Sequence, residues 1–266
     1  MDADADLTKM NGNEINNLSL ESNPMPDEER NDQGFTFNWL NLFIGAAICL
    51  WWFQGSDGLS INWSFYIYLA IVVVIHELGH VIVGKSFGCL ITEMQVFFLP
   101  FVSYKPKHHL EGNSWRDIKW SLGTLPLGGV TMFKSRAAND DDGVYYIEDK
   151  PAWQRMLISA AGVLFNIATF LILYFSLPYM SYEWNDSLWP LASLSLIVAV
   201  LNILPIYPLD GGAIVFALFE MITGKKPSPK FTQACGWIGF IFIVLFFWVF
   251  PEWMDGILDF VFRKIF

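Results

Sequence analysis

Apolar residues come along this chain in long blocks with short polar breaks, a rhythm that suits membrane spans better than the faces of a soluble fold. Crossing the hydrocarbon core takes about 20 mostly apolar residues. Phe37 to Phe53 is slightly short, but it is bracketed by tryptophans and followed by a Gln-Gly-Ser-Asp-Gly turn, and it reads as a first span. Ile61 to about Phe87 is the second, Trp153 to Tyr179 the third, and Thr232 to Phe250 the last. Before that last span, and after an acidic loop at Ser181 to Ser187, lies a longer apolar region. This region, Leu188 to Thr223, is interrupted by Pro205, Pro208 and Asp210-Gly211-Gly212. Proline removes backbone donors and paired glycines loosen a helix, so it predicts one span broken at Pro205–Gly212, or two half-helices. Pro251 to Phe266 is too short to cross easily and mixes acids, apolar residues and Arg263-Lys264, which fits an interfacial C-terminal helix.

The pattern changes between the second and third spans. Leu90 to Tyr104 and Trp120 to Phe133 are rich in aromatic and β-branched residues and are broken by Pro100, Gly123, Pro126, Gly128 and Gly129, which predicts strands and hairpins. Lys105 to Lys119 is a polar loop, and Ala137 to Lys150, with Asp140, Asp141 and Asp142 in a row, is a solvated linker. The predicted fold is a polytopic α-helical membrane protein of about five transmembrane helices, with a membrane-associated β-hairpin or sheet between the second and third. Its expected divisions are an acidic disordered tail at 1–36, a membrane domain at 37–250 containing the β-segment 88–134, and the interfacial helix at 251–266.

Composition agrees: 54% of residues are hydrophobic and 16% charged, against about 25% charged in ordinary globular domains. The net charge of −10 does not mark an acidic binding surface, because residues 1–38 hold nine Asp or Glu against only Lys9 and Arg30. That tail also lacks the basic start and apolar core of a signal peptide. Cys49, Cys89 and Cys235 are scattered, so they build neither a disulfide framework nor a metal cluster. Lys85, Lys105, Lys107, Arg116, Lys119, Lys134, Arg136 and Lys150 cluster in one connection and Lys225, Lys226 and Lys230 in another, whereas 54–62 and 179–187 carry no Lys or Arg. The positive-inside rule then puts both basic connections and the N-terminus in the cytoplasm.

The second span carries His76-Glu77-Leu78-Gly79-His80 among valines and isoleucines. Histidines four apart share a helix face and can grip one metal ion, with Glu77 one step round as the base for a water molecule. The competing use of such residues in a membrane is a proton relay, which would make the chain a metal or proton carrier rather than an enzyme. A catalytic zinc takes a third protein ligand. His108 and His109 sit in the polar loop, where they are solvated; Asp210, a carboxylate deep in an apolar region, is the better candidate, although an aspartate there can also cap the helix that follows. Asn166 and Asn202, the other polar groups inside spans, either bond between helices or hold a substrate carbonyl or its oxyanion.

These residues together resemble the site-2 proteases, intramembrane zinc metalloproteases. His76-Glu77-Leu78-Gly79-His80 is similar to the family's zinc motif, and Asn202 to Gly212 to its second signature, whose aspartate is the third ligand. Leu125-Pro126-Leu127-Gly128-Gly129-Val130 resembles the glycine-bearing β-segment of bacterial members. Ala161-Gly162 and Asn166 resemble the Ala-Gly-Pro-x-x-Asn stretch, with Val163 in place of the proline. The resemblance implies one zinc ion on His76, His80 and Asp210, with Glu77 as the catalytic base. For Asn166, Asn202, Gly128 and Gly129 it implies substrate or oxyanion contacts. It further implies single-pass membrane-protein substrates such as anti-sigma factors or signal-peptide remnants, and an upstream site-1 protease. The bilayer of a bacterial inner membrane is the expected surrounding, and no nucleic acid is expected as a partner. Only about twenty residues separate Phe133 from Trp153, which leaves no room for the inserted PDZ domain of many relatives.

Overall fold

The computed structural model describes residues 34–53, 63–106, 115, 118–134 and 146–249. The expected acidic tail up to residue 33, His108 and His109, most of the 137–150 linker and the C-terminal helix at 251–266 lie outside the described residues. In chain order the elements are β1 (Gly34–Phe37), α1 (Trp39–Phe53), α2 (Trp63–Ser86), β2 (Ile91–Lys105), β3 (Lys119–Phe133), α3 (Ala152–Ser176), α4 (Tyr182–Asn202), α5 (Asp210–Thr223) and α6 (Pro229–Val249). Helix α3 is the hub, packing against α2, α4 and α5.

Among the described residues, three stretches are long and apolar enough to cross a membrane: Ser64–Ser86, Ala152–Tyr179 and Tyr182–Asn202. The apolar stretches of α1 and α6 that meet the same test of composition, Trp39–Ile48 and Pro229–Leu245, are shorter. The fourth expected span is resolved into two helices, α4 and α5, separated by residues 203–209. The expected acidic loop at Ser181–Ser187 is instead the first turns of α4. Glu183 lies in the first turn, where the positive end of the helix dipole favours a carboxylate.

The sheet has the order β1-β2-β3. Glu93, Met94, Gln95 and Val96 of β2 each have two partners in β3, one from Lys119–Leu122 and one from Gly129–Met132, so β3 lies on both sides of this part of β2. Bends make this geometry: Phe97 and Leu99 have φ of 65° and 56°, left-handed values uncommon outside glycine. Gly129–Phe133 therefore forms one margin of the sheet. Beyond the bends, Phe98 pairs with Leu125 and Pro100 with Gly123. Helix α1 attaches to that arm through Asn38 N–H to the Phe101 carbonyl at 2.7 Å, Asn41 Nδ2 to the Pro100 carbonyl at 2.7 Å, and Thr124 Oγ1 to the Asn41 carbonyl at 3.1 Å.

The main apolar cluster joins sheet to helix. Val73 and Val81 of α2 pack with Ile91, Met94, Val96 and Phe97 of β2 and with Ile118, flanked by Leu69, Ala70, Val74 and Leu78. Positions 69, 70, 73, 74, 78 and 81 recur at three- and four-residue steps, the signature of one helix stripe. The sheet is thereby fixed along one side of α2. On the other side, at the end of the bundle where α3 starts and α5 ends, Arg155 pairs with Glu220, and Lys226 Nζ donates to the Glu148 carbonyl at 2.6 Å.

Candidate metal centre

Helix α2 presents two different faces to its neighbours. Glu77 falls on the stripe that meets the sheet, whereas His76 and His80, about 100° and 60° round the helix from it, fall on the stripe that meets α3. All three are buried, at 6%, 4% and 8% exposure for His76, Glu77 and His80. His76 is ten residues from the end of α2 at Ser86, and Asp210 is thirteen from the end of α5 at Thr223. At 1.5 Å per residue both lie about 15–20 Å below that end of the bundle.

The helix break brings Asp210 to the histidines. Its Oδ2 lies 3.0 Å from His76 Nε2 and 3.3 Å from His80 Nε2, and the two ring nitrogens are 3.3 Å apart. Zinc–ligand bonds of about 2.0–2.1 Å in a tetrahedron separate neighbouring donors by about 3.3 Å, so the three atoms are spaced as zinc ligands should be. The tautomer also fits. His80 Nδ1 is 2.8 Å from the Ile158 carbonyl; a carbonyl only accepts, so Nδ1 carries a proton and Nε2 is the nitrogen turned to Asp210. Oδ2 of Asp210 is buried and meets no other polar group among the described residues. Two imidazole nitrogens and a buried carboxylate oxygen converging in this way form a donor set that suits a zinc ion, and three protein donors would leave the fourth position for water or substrate.

Helix α3 supplies the floor. A Cβ built on Gly162 would lie 2.5 Å from His80 Nε2 and 2.7 Å from His76 Nε2, so only glycine admits the two rings there. Asn166 is fully buried, with Nδ2 3.2 Å from His76 Nδ1 and Oδ1 without a partner. A half-turn of the amide exchanges the two groups and gives a protonated Nδ1 its acceptor, which is the orientation that frees Nε2 for a metal. Asn202 donates from Nδ2 to the Val198 carbonyl of its own helix at 3.0 Å. The structure thus gives both asparagines partners within the protein.

Of the sheet glycines, Gly128 has a φ of 126°. Gly129 lies directly over Glu77, where a Cβ would come within 2.8 Å of its Cγ and Oε1. Two neighbours were not legible in the sequence. Thr131 Oγ1 donates to Glu77 Oε2 at 2.7 Å, and the Ile158 carbonyl orients His80. Threonine in a strand is unremarkable, and a backbone carbonyl has no letter of its own.

The family model for Peptidase family M50 matches residues 64–183 and 178–246. Metalloprotease MmpA of Caulobacter vibrioides is 28% identical over 133 residues, covering 42% of this chain and 31% of its own. A Chlamydia trachomatis protein named for zinc metalloprotease activity is 32% identical over 123 residues, covering 41% of this chain and 19% of its own. The chain therefore matches less than a third of the length of either relative. Among solved structures, the site-2 protease from Methanocaldococcus jannaschii aligns at 23% identity and a TM-score of 0.47, over 80% of this chain and 77% of that one.

Proposed function

The chain belongs to peptidase family M50, the family of the site-2 proteases, and from that premise we propose that it is an intramembrane zinc metalloprotease. The convergence of His76 Nε2, His80 Nε2 and Asp210 Oδ2 beside Glu77, within apolar helices, carries the reading. His76, His80 and Asp210 hold one zinc ion. Bound there, the ion acidifies water and polarises the scissile carbonyl. Glu77 takes the proton of the attacking water and passes it to the leaving amine. Asn166 and the Ile158 carbonyl hold the histidine rings in orientation.

A transmembrane substrate hides its amides in helical hydrogen bonds and must unwind before attack. The margin strand Gly129–Phe133 receives the unwound segment as an added strand, which fixes an extended backbone largely irrespective of side chains. The substrates are single-pass membrane proteins of the anti-sigma-factor or signal-peptide-remnant type, cut within or near their membrane segment in regulated intramembrane proteolysis, after a first cut by another protease. The basic connections orient the site toward the cytoplasmic side of a bacterial inner membrane.

Replacing the native protein by Glu77→Gln in its own cell tests the reading. The membrane proteome should accumulate short single-span fragments, while the purified variant keeps about one zinc per chain, since Glu77 is not a ligand. An unchanged fragment pattern with full zinc would instead favour a carrier.

A further inference from the structure

We infer that Thr131 is a positioning residue for catalysis: its hydroxyl fixes the Glu77 carboxylate, so the proton-transferring group is held from the sheet rather than from the helix bundle. The inference rests on reading Glu77 as the base. Three observations carry it. Helical spacing turns Glu77 toward the sheet, away from the stripe that holds His76 and His80. Thr131 Oγ1 then donates to Oε2 at 2.7 Å, well inside its 3.4 Å distance to the Glu77 carbonyl, so its single proton goes to the carboxylate. Finally, Gly129, two residues away and on the same strand face, leaves Oε1 the space a side chain would fill, and Oε1 accepts no hydrogen bond among the described residues. One oxygen is tied and the other is left to take the proton. A carboxylate on a flexible side chain needs such a tie, because proton transfer demands hydrogen-bond reach of about 2.6–3.2 Å to the moving proton.

Strand β3 delivers both residues together. Met94 pairs with Thr131 and Val96 with Gly129, so the sheet register that places the hydroxyl also places the gap. A hydroxyl that served only to glue strand to helix would contribute to stability in proportion to its bond and leave turnover alone.

The experiment compares Thr131→Val, which keeps the shape and removes the hydroxyl, with Thr131→Ser, which keeps the hydroxyl. Each is assayed in detergent on a fluorophore-quencher-labelled single-span peptide, with zinc per chain and melting temperature measured on the same samples. Thr131→Val should lower kcat by about 10–100-fold, the usual effect of removing a group that orients a reacting one. KM, zinc content and melting temperature should stay near those of the native protein, and Thr131→Ser should restore kcat to within a few fold. Thr131→Ala, which also removes the hydroxyl, should lower kcat in the same way and provides the answer if Thr131→Val does not fold. Native kcat in Thr131→Val, or a loss of activity that follows loss of zinc or of melting temperature and is not restored by serine, overturns the inference. Glu77→Gln run alongside separates the two levels. If it cleaves like the native protein the reading of the base itself fails, and if it is inactive while Thr131→Val is fully active only the role of Thr131 fails.

Discussion

His80 turns Nδ1 to the Ile158 carbonyl, and because that carbonyl can only accept, the bond settles which ring nitrogen is left for a metal. Asn166 stands in the same relation to His76 once its amide is turned to present Oδ1 to Nδ1. Zinc titration of purified variants ranks these contributions: Asn166→Leu should weaken zinc binding by about 10–100-fold, and Asp210→Ala, which removes a donor outright, by more. Full zinc content in Asp210→Ala would remove it from the ligand set. The histidines and Asp210 were legible in the sequence for a physical reason. Ionisable groups are costly in an apolar block, so three at metal-binding spacing and a fourth at a helix break stand out against their surroundings. Thr131 and Gly162 did not stand out. Threonine is among the commonest strand residues, and the need for glycine at 162 arises from rings on another helix, 76 and 80, that no local pattern connects to it.

At the scale of elements, β2 and β3 fall within a residue of the expected strands, since aromatic and β-branched content is read locally. Their pairing was not readable, because it depends on left-handed φ at Phe97 and Leu99, residues whose identity does not announce a bend. The start of α4 was missed in the opposite sense: polar residues at Tyr182–Ser187 look like a loop until the favourable place of an acid in a first helical turn is counted. The margin strand also has a consequence that can be measured. Met132, 42% exposed, sits on it; Met132→Asp should reduce cleavage of the single-span peptide severalfold through KM, with zinc content unchanged, because a charge there disfavours docking of an apolar segment. Unchanged KM would exclude strand addition at this edge.

Across the whole molecule, the division of labour on α2 organises everything else: the bundle of α3, α4 and α5 builds the metal face and the sheet builds the base face. Membrane character could be read from hydropathy and the broken fourth span from its prolines and paired glycines, whereas the arrangement of helices around α3 could not. His76, His80 and Asp210 join α2 to α5 across about 130 residues of intervening chain. A ligand that binds only the folded form stabilises it by about 2.7 kcal/mol at one hundred times its dissociation constant. Chelation should accordingly lower the melting temperature by several degrees and zinc should restore it, whereas in Asp210→Ala both shifts should shrink; equal melting temperatures with and without zinc in the native protein would count against a bridging ion. An ion bridging these residues would also act as a quality control the cell need not encode separately. A copy starved of it would be looser and open to digestion by other proteases, so the abundance of the protein should follow zinc supply as well as its activity.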